Sequence, residues 1–196
     1  MKFFVALILL VLNFSVHTES YKDLSLEKLK AAANSDDEVA MGFLAETYEK
    51  GVAVEKDLTK ALKWYKRAAE LNYPPAQYNL AVLLYKGEGT PVDLEQAFFW
   101  AEKSAEQNHV AAQFLVGSFY AQGKGVYKNK QQAYKWYERA AKQNNSMAQY
   151  NLAIMYLQGD GIDKDINTGI DLLKKAAAQH HSQAQSVLNL IENQKK

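Results

Sequence analysis

Within the eight residues Gln158-Gly159-Asp160-Gly161-Ile162-Asp163-Lys164-Asp165 stand three carboxylates and two glycines. Closely spaced carboxylate oxygens ligate calcium, and glycine-rich backbone cradles phosphate, so ligand chemistry would begin here if anywhere. Yet Asp160, Asp163 and Asp165 do not have the spacing of an EF-hand loop with its terminal Glu. No strand pattern leads into the glycines, as a nucleotide-binding loop requires. The histidines, His17, His109 and the pair His180-His181, belong to no HExxH helix and no evident triad. The chain has no Cys, which excludes structural disulfides, thiolate zinc sites and a cysteine nucleophile. Its carboxylates form no recurring pair to serve as acid and base. No catalytic residue, cofactor or metal ligand is therefore assigned.

The 196 residues suffice for one domain or one array of small repeats. With 23 basic against 22 acidic side chains the chain is nearly neutral, which argues against a broad nucleic-acid footprint. Its first twenty residues, MKFFVALILLVLNFSVHTES, place one Lys before an apolar run from Phe3 to Leu12 and end in small or polar residues. This is the pattern of a secretory signal peptide over 1–20, with cleavage expected near Glu19 or Tyr21. The run is short of the about 20 apolar residues that span a membrane. An exported protein is expected, in a bacterial periplasm or secreted.

Ala40, Ala76, Ala112, Ala148 and Ala184 are evenly spaced by 36 residues, as are Gly51, Gly87, Gly123 and Gly159. Such a period marks stacked structural repeats. The windows AQYNLAVLLYKGEG from Ala76, AQFLVGSFYAQGKG from Ala112 and AQYNLAIMYLQGDG from Ala148 show it directly. Each half-unit has helical periodicity: Ala76, Leu80, Leu83 and Leu84 share one face, and Ala97, Trp100, Ser104 and Ala105 another. Four helix–turn–helix units follow, at about 38–73, 74–109, 110–145 and 146–181, with capping half-units over 21–35 and 182–196. The acidic stretch now aligns with Gly87-Glu88-Gly89, Gly123-Lys124-Gly125 and Gly51-Val52-Ala53. The residue between the glycines is Asp, Glu, Lys or Val, a range of charge that a shared ligand role could not tolerate. A turn needing unusual backbone angles asks only for the glycines, so the stretch is expected to be a turn.

Asp57, Asp93, Asn129 and Asp165 precede the second helices as N-caps, with Gln96 and Gln132 placed to complete capping boxes. Asn72, Asn108 and Asn144 follow second helices, where Asn tolerates the left-handed conformation; His180 holds the same place in the last unit. Small residues recur where the helices of a unit cross: Ala45, Ala81, Gly117 and Ala153 on the first, Ala61, Ala97, Ala133 and Gly169 on the second. Trp64, Trp100 and Trp136 are expected to fill the space beside them.

These residues resemble the Sel1-like repeats, relatives of the tetratricopeptide repeats. The resemblance rests on AQFLVGSFYAQGKGVYKNKQQAYKWYERAAKQN from Ala112, which follows A-x-x-x-L-G-x-x-Y-x-x-G-x-G-V and, after a short link, A-x-x-W-Y-x-K-A-A. It covers about Glu38 to Gln179. Departures are Ala53 for the second glycine, the GTPVD link from Gly89 to Asp93, and Leu172-Leu173 for Trp-Tyr. The resemblance implies an all-α fold, an α-solenoid winding as a right-handed superhelix, that assembles protein complexes. Cysteine-rich members are linked to β-lactam binding, an association that does not carry over to a chain without Cys.

First helices of such units usually line the concave face. The positions left after the core is assigned form rows of Tyr78, Phe114 and Tyr150; of Val82, Ser118 and Ile154; and of Tyr85, Ala121 and Leu157. They are read as a moderately apolar groove for an extended segment or helix of a protein partner. Gln77, Gln113 and Gln149, with Gln185, flank it and are assigned either to a partner's backbone or to solvent. The alternative is that the aromatic row packs between neighbouring units. The function expected is an exported, non-enzymatic scaffold, monomeric when free, holding a protein partner, with no nucleic acid and no membrane span once the leader is removed. Two alternatives stay open: a toxin-neutralising protein of the envelope, and an envelope or cell-wall enzyme.

Overall fold

A computed structural model describes residue 21 and residues 23–193. The leader expected over 1–20 lies outside the described residues. Among the latter are ten α-helices and no strand: α1 Leu26–Asn34, α2 Glu38–Lys50, α3 Leu58–Glu70, α4 Pro74–Lys86, α5 Leu94–Glu106, α6 Val110–Gln122, α7 Lys130–Lys142, α8 Ser146–Gln158, α9 Ile166–Ala178 and α10 Ser182–Asn193. The fold is all-α, built of helix–turn–helix units repeating about every 36 residues, the α-solenoid class. The chain divides into two compact halves, α1 to α4 up to Val92 and α5 to α10 from Asp93.

Helix ends follow from single residues. Asp57, Asp93, Asn129 and Asp165 each accept the backbone N–H three residues on, at 2.9–3.0 Å. That satisfies a donor which helix geometry leaves without a partner. Gln96 and Gln132 enter these caps through their backbone N–H alone; the reciprocal side-chain bond of a capping box is not formed among the described residues. First helices end on glycines in the left-handed conformation, as at Gly159, φ 72°. Second helices run one residue past their C-cap into Asn72, Asn108, Asn144 and His180, all with φ between 63° and 67°.

Small residues let the paired helices close. Ala45, Ala81, Ala153, Ala61, Ala97 and Ala133 are fully buried. At Gly117 an added Cβ would meet the Tyr137 ring at 2.6 Å. The aromatic in this crossing is thus the residue after Trp136. Tyr65 holds the matching place in α3 and is likewise buried. The tryptophans are a correction: Trp136 is buried, but Trp64 and Trp100 are only partly covered and sit at the edge of the core. Each carries a cation over its ring, Arg67 at 5.5 Å, Lys103 at 5.8 Å and Arg139 at 4.6 Å. Cation–π attraction and the long basic stems cover rings that the helix crossing leaves half open.

In the first half, the core side chains Leu44, Leu80 and Leu83 are buried, each contributing about 1.5–3 kcal/mol by leaving water. In the second, Ala133, Tyr137, Ala140, Ala148, Leu152 and Met155 form one cluster, and Ala153, Leu173, Ala176, Ala184 and Leu188 the next. Leu29 and Ala33 of α1 are buried in the same way.

Candidate functional site

The stretch Gly159 to Asp165 joins α8 to α9. The N–H groups of Gly159 and Asp160 both donate to the Met155 carbonyl, at 2.8 and 3.1 Å, and that of Asp165 donates to the Tyr156 carbonyl at 3.0 Å. The chain is therefore turned by its own backbone. Asp160 pairs with Lys130. Asp165 accepts from the Thr168 N–H and hydroxyl, which hold its carboxyl below the usual range. Asp163, the third carboxylate, stays exposed. Among the described residues no group of three or more metal-ligating side chains is assembled.

Tyr78, Val82 and Tyr85 lie on α4 in the first half, all half-buried. In the second half Phe114, Ser118 and Ala121 lie on α6, and Tyr150, Ile154 and Leu157 on α8, again half-buried. The faces are adjacent, since Val110 and Phe114 of α6 pack into the cluster containing Ala148 and Leu152 of α8. Several of these side chains serve the fold as well. The Phe114 ring lies 5.8 Å from that of Tyr137, and Tyr150 stacks on His181 at 4.8 Å, so packing within the array claims part of the aromatic row. Leu157 meets α9 at Gly169, where a Cβ would approach it to 2.8 Å. Ser118 accepts from Gln122 at 2.6 Å. Beside them Met147, at 48% exposure, adds an open apolar residue to the face of α8.

The glutamines correct the sequence reading. Gln77, Gln113 and Gln149 are at most 3% exposed. Their amides donate backward to the carbonyls of Ala69, Ala105 and Ala141 at the end of the preceding second helix. Gln77 and Gln149 also reach Asn72 and Asn144. The Gln149 amide oxygen accepts from Gln179 at 2.8 Å, as that of Gln113 does from Gln143. They tie one unit to the next, each giving a second hydrogen bond to a helix-terminal carbonyl that also accepts the N–H of Asn72, Asn108 or Asn144. Their spacing was visible, but burial was not. Gln185, the fourth of the row, is exposed and bonds Asn189.

Two of the histidines are N-caps. His109 Nδ1 accepts from Ala112 N–H and His181 Nδ1 from Ala184 N–H, both at 3.3 Å. Burial lowers the His109 pKa and so favours the neutral ring that this cap requires. Asn145 does the same work before α8, and Asp37 before α2. The signal was the recurrence of a polar residue one position before four of the first helices, at Asp37, His109, Asn145 and His181; Tyr73 before α4 makes no side-chain cap.

Charge is unevenly divided. α6 and α8, thirteen residues each, contain no Asp, Glu, Lys, Arg or His. α7 between them carries Lys130, Lys135, Glu138, Arg139 and Lys142. The Glu102 carboxyl is pushed upward by burial and then by Glu106, and its contact is the Tyr120 hydroxyl. Among the described residues, each half has an open cleft. One, in the first half, is apolar and lined by Leu24, Leu26, Leu29, Phe43 and Val52 among others. The other, in the second half, lies between Tyr134, Tyr156 and the turn from Gly159 to Asp163.

The Sel1 repeat profile matches residues 39–73, 74–109, 110–145 and 146–181. The structure of a Sel1 repeat protein from Oxalobacter formigenes superposes with TM-score 0.74 at 34% identity, covering 79% of this chain and 63% of that one. A protective antigen of uropathogenic Escherichia coli with this fold gives TM-score 0.62 at 28% identity, over 87% of this chain and 44% of its own. An immunity protein of Pseudomonas aeruginosa, at 23% identity and TM-score 0.53 over 81% of this chain and 58% of its own, shares the fold alone. The chain thus spans less than two thirds of the length of each of these structures. No curated protein matches its sequence.

Proposed function

The chain belongs to the Sel1 repeat family, and from that premise we propose that it is an exported, non-enzymatic scaffold holding a protein partner against the exposed edges of α6 and α8. Proteins of this family are generally scaffolds for protein–protein interaction. The observation that carries the reading is the absence of charge from these two helices beside a charged α7. An exposed face normally carries charge; one that lacks it, and shows Met147 and half-buried Phe114 and Ile154, costs little to dehydrate against an apolar or uncharged partner. Export rests on the leader pattern of residues 1–20.

The test is capture by cross-linking from envelope and secreted fractions with three proteins: the parent, Met147→Glu/Ile154→Lys on α8, and Lys135→Glu on α7. A partner retained by the parent and by Lys135→Glu but lost from the α8 variant, with helicity unchanged, supports the reading. Capture indifferent to the α8 substitutions sinks it.

A further inference from the structure

The cleft beside the acidic turn has features that the fold does not require. It has a volume of about 610 Å³ and is lined by Tyr134, Tyr156, Gly159, Gly161, Ile162 and Asp163. The two tyrosine rings stand almost at right angles, 84°, with centroids 6.0 Å apart, and so form two aromatic walls. Their hydroxyls are 3.1 Å apart, and Tyr134 donates to Glu138 at 3.5 Å. A carboxylate only accepts, so Tyr134 gives its proton to Glu138 and takes a hydrogen bond from Tyr156. Both phenolic protons are then spent within the protein. What the lining side chains offer to a visitor is oxygen lone pairs and ring faces.

Asp163 adds a full negative charge at the rim. Its neighbour Asp160 is neutralised by Lys130, whereas Asp163 makes no ion pair among the described residues. Elsewhere the molecule sets a cation over an aromatic ring, as with Arg139 on Trp136. Among the described residues these two rings carry none.

The combination belongs to this unit alone. The residues 36 positions apart from Tyr134 are Leu62, Phe98 and Ile170; those matching Asp163 are Glu55, Pro91 and Tyr127; and Leu84 stands in one copy where Tyr156 stands here. The repeat folds without the hydroxyl pair and the carboxylate, so packing does not account for them.

We propose that this cleft receives an arginine side chain of the protein partner, its guanidinium stacked on a tyrosine ring and hydrogen-bonded to Asp163. Guanidinium is donor-only, planar and weakly hydrated, which matches a site of acceptors and ring faces. A sugar hydroxyl would also need donors that the side chains have already committed. The inference rests on the partner reading above, in that the cation is a partner's; Tyr156 lies on α8, the helix that bears Met147 and Ile154.

Titration of the full chain with Nα-acetyl-arginine amide, followed by NMR of labelled tyrosine rings, tests it without any partner in hand. The expected result is a saturable shift confined to Tyr134 and Tyr156, absent with the glutamine amide and weaker with the lysine amide. Asp163→Asn should weaken binding about threefold, as for an exposed charge pair. Tyr156→Leu, a substitution with the precedent of Leu84, should abolish it. No saturable shift, an equal response to the glutamine or lysine amide, or indifference to Asp163→Asn overturns the proposal. Failure here with partner capture still lost in the α8 variant would remove the arginine site and leave the scaffold reading; the opposite pattern would remove the scaffold face instead.

Discussion

A Cβ placed on Gly125 would lie 2.0 Å from the carbonyl oxygen of Leu94, the first residue of α5. Gly89 stands in the same relation to Leu58 at the start of α3, at 2.6 Å. The second glycine of the turn is therefore where each unit presses on its predecessor. In the first copy the matching residue is Ala53, exposed and with φ 60°.

From this relationship Gly125→Ala should lose about 2–4 kcal/mol, combining a left-handed φ of 68° with overpacking against backbone that cannot yield. Ala53→Gly should change stability by less than about 1 kcal/mol. Urea unfolding of both variants checks the contrast, and equal effects would break the assignment.

Gln113→Leu should cost about 1–3 kcal/mol, because at a buried junction the Ala105 carbonyl loses one of its two donors and the Gln143 amide loses its acceptor. Gln185→Leu, at the exposed end of the same row, should stay within about 0.5 kcal/mol. If the two variants unfold at the same denaturant concentration, Gln113 has no tying role.

Stability should fall with acidification through His109. Burial lowers its pKa in the folded chain below the ordinary 6.5, so the unfolded chain binds the proton more readily. The contribution of neutral His109 is fully present above about pH 6.5 and declines as pH drops below that value toward the folded pKa. His109→Asn, which copies the Asn145 cap, should remove this part of the slope between about pH 7 and pH 5. An unchanged slope in the variant would show that His109 is not its source.

Binding at α6 and α8 should be tolerant of salt. Raising ionic strength from about 0.1 M to about 1 M shortens the screening length from about 10 Å to about 3 Å. Helices without charged side chains lose little by that, so partner affinity should drop by less than about tenfold, the remaining sensitivity coming from the single Asp163 pair. A collapse of several orders of magnitude would place the contact on α7 and its basic residues.

The period, the helix pairs and the turn were legible in the sequence because each repeat restates the same local demands. An Asp or Asn caps a second helix and a Gly or Asn ends a helix wherever it stands, since those roles depend on residues within a few positions. The four copies also let the variable Asp160 be separated from the recurring glycines. What lay beyond reach was decided by neighbours about thirty residues away. Gln113 and Gln149 look like surface glutamines until the helix end before them and Gln143 or Gln179 close over their amides. Trp64 and Trp100 carry the composition of a core, yet the crossing had room for the next side chain and left them at its edge. Tyr134 and Tyr156 stand in different units' helices, and only the packing of α7 on α8 makes one cleft of them. Local hydrogen-bonding preference is written residue by residue, whereas burial is a property of what the rest of the chain places on top.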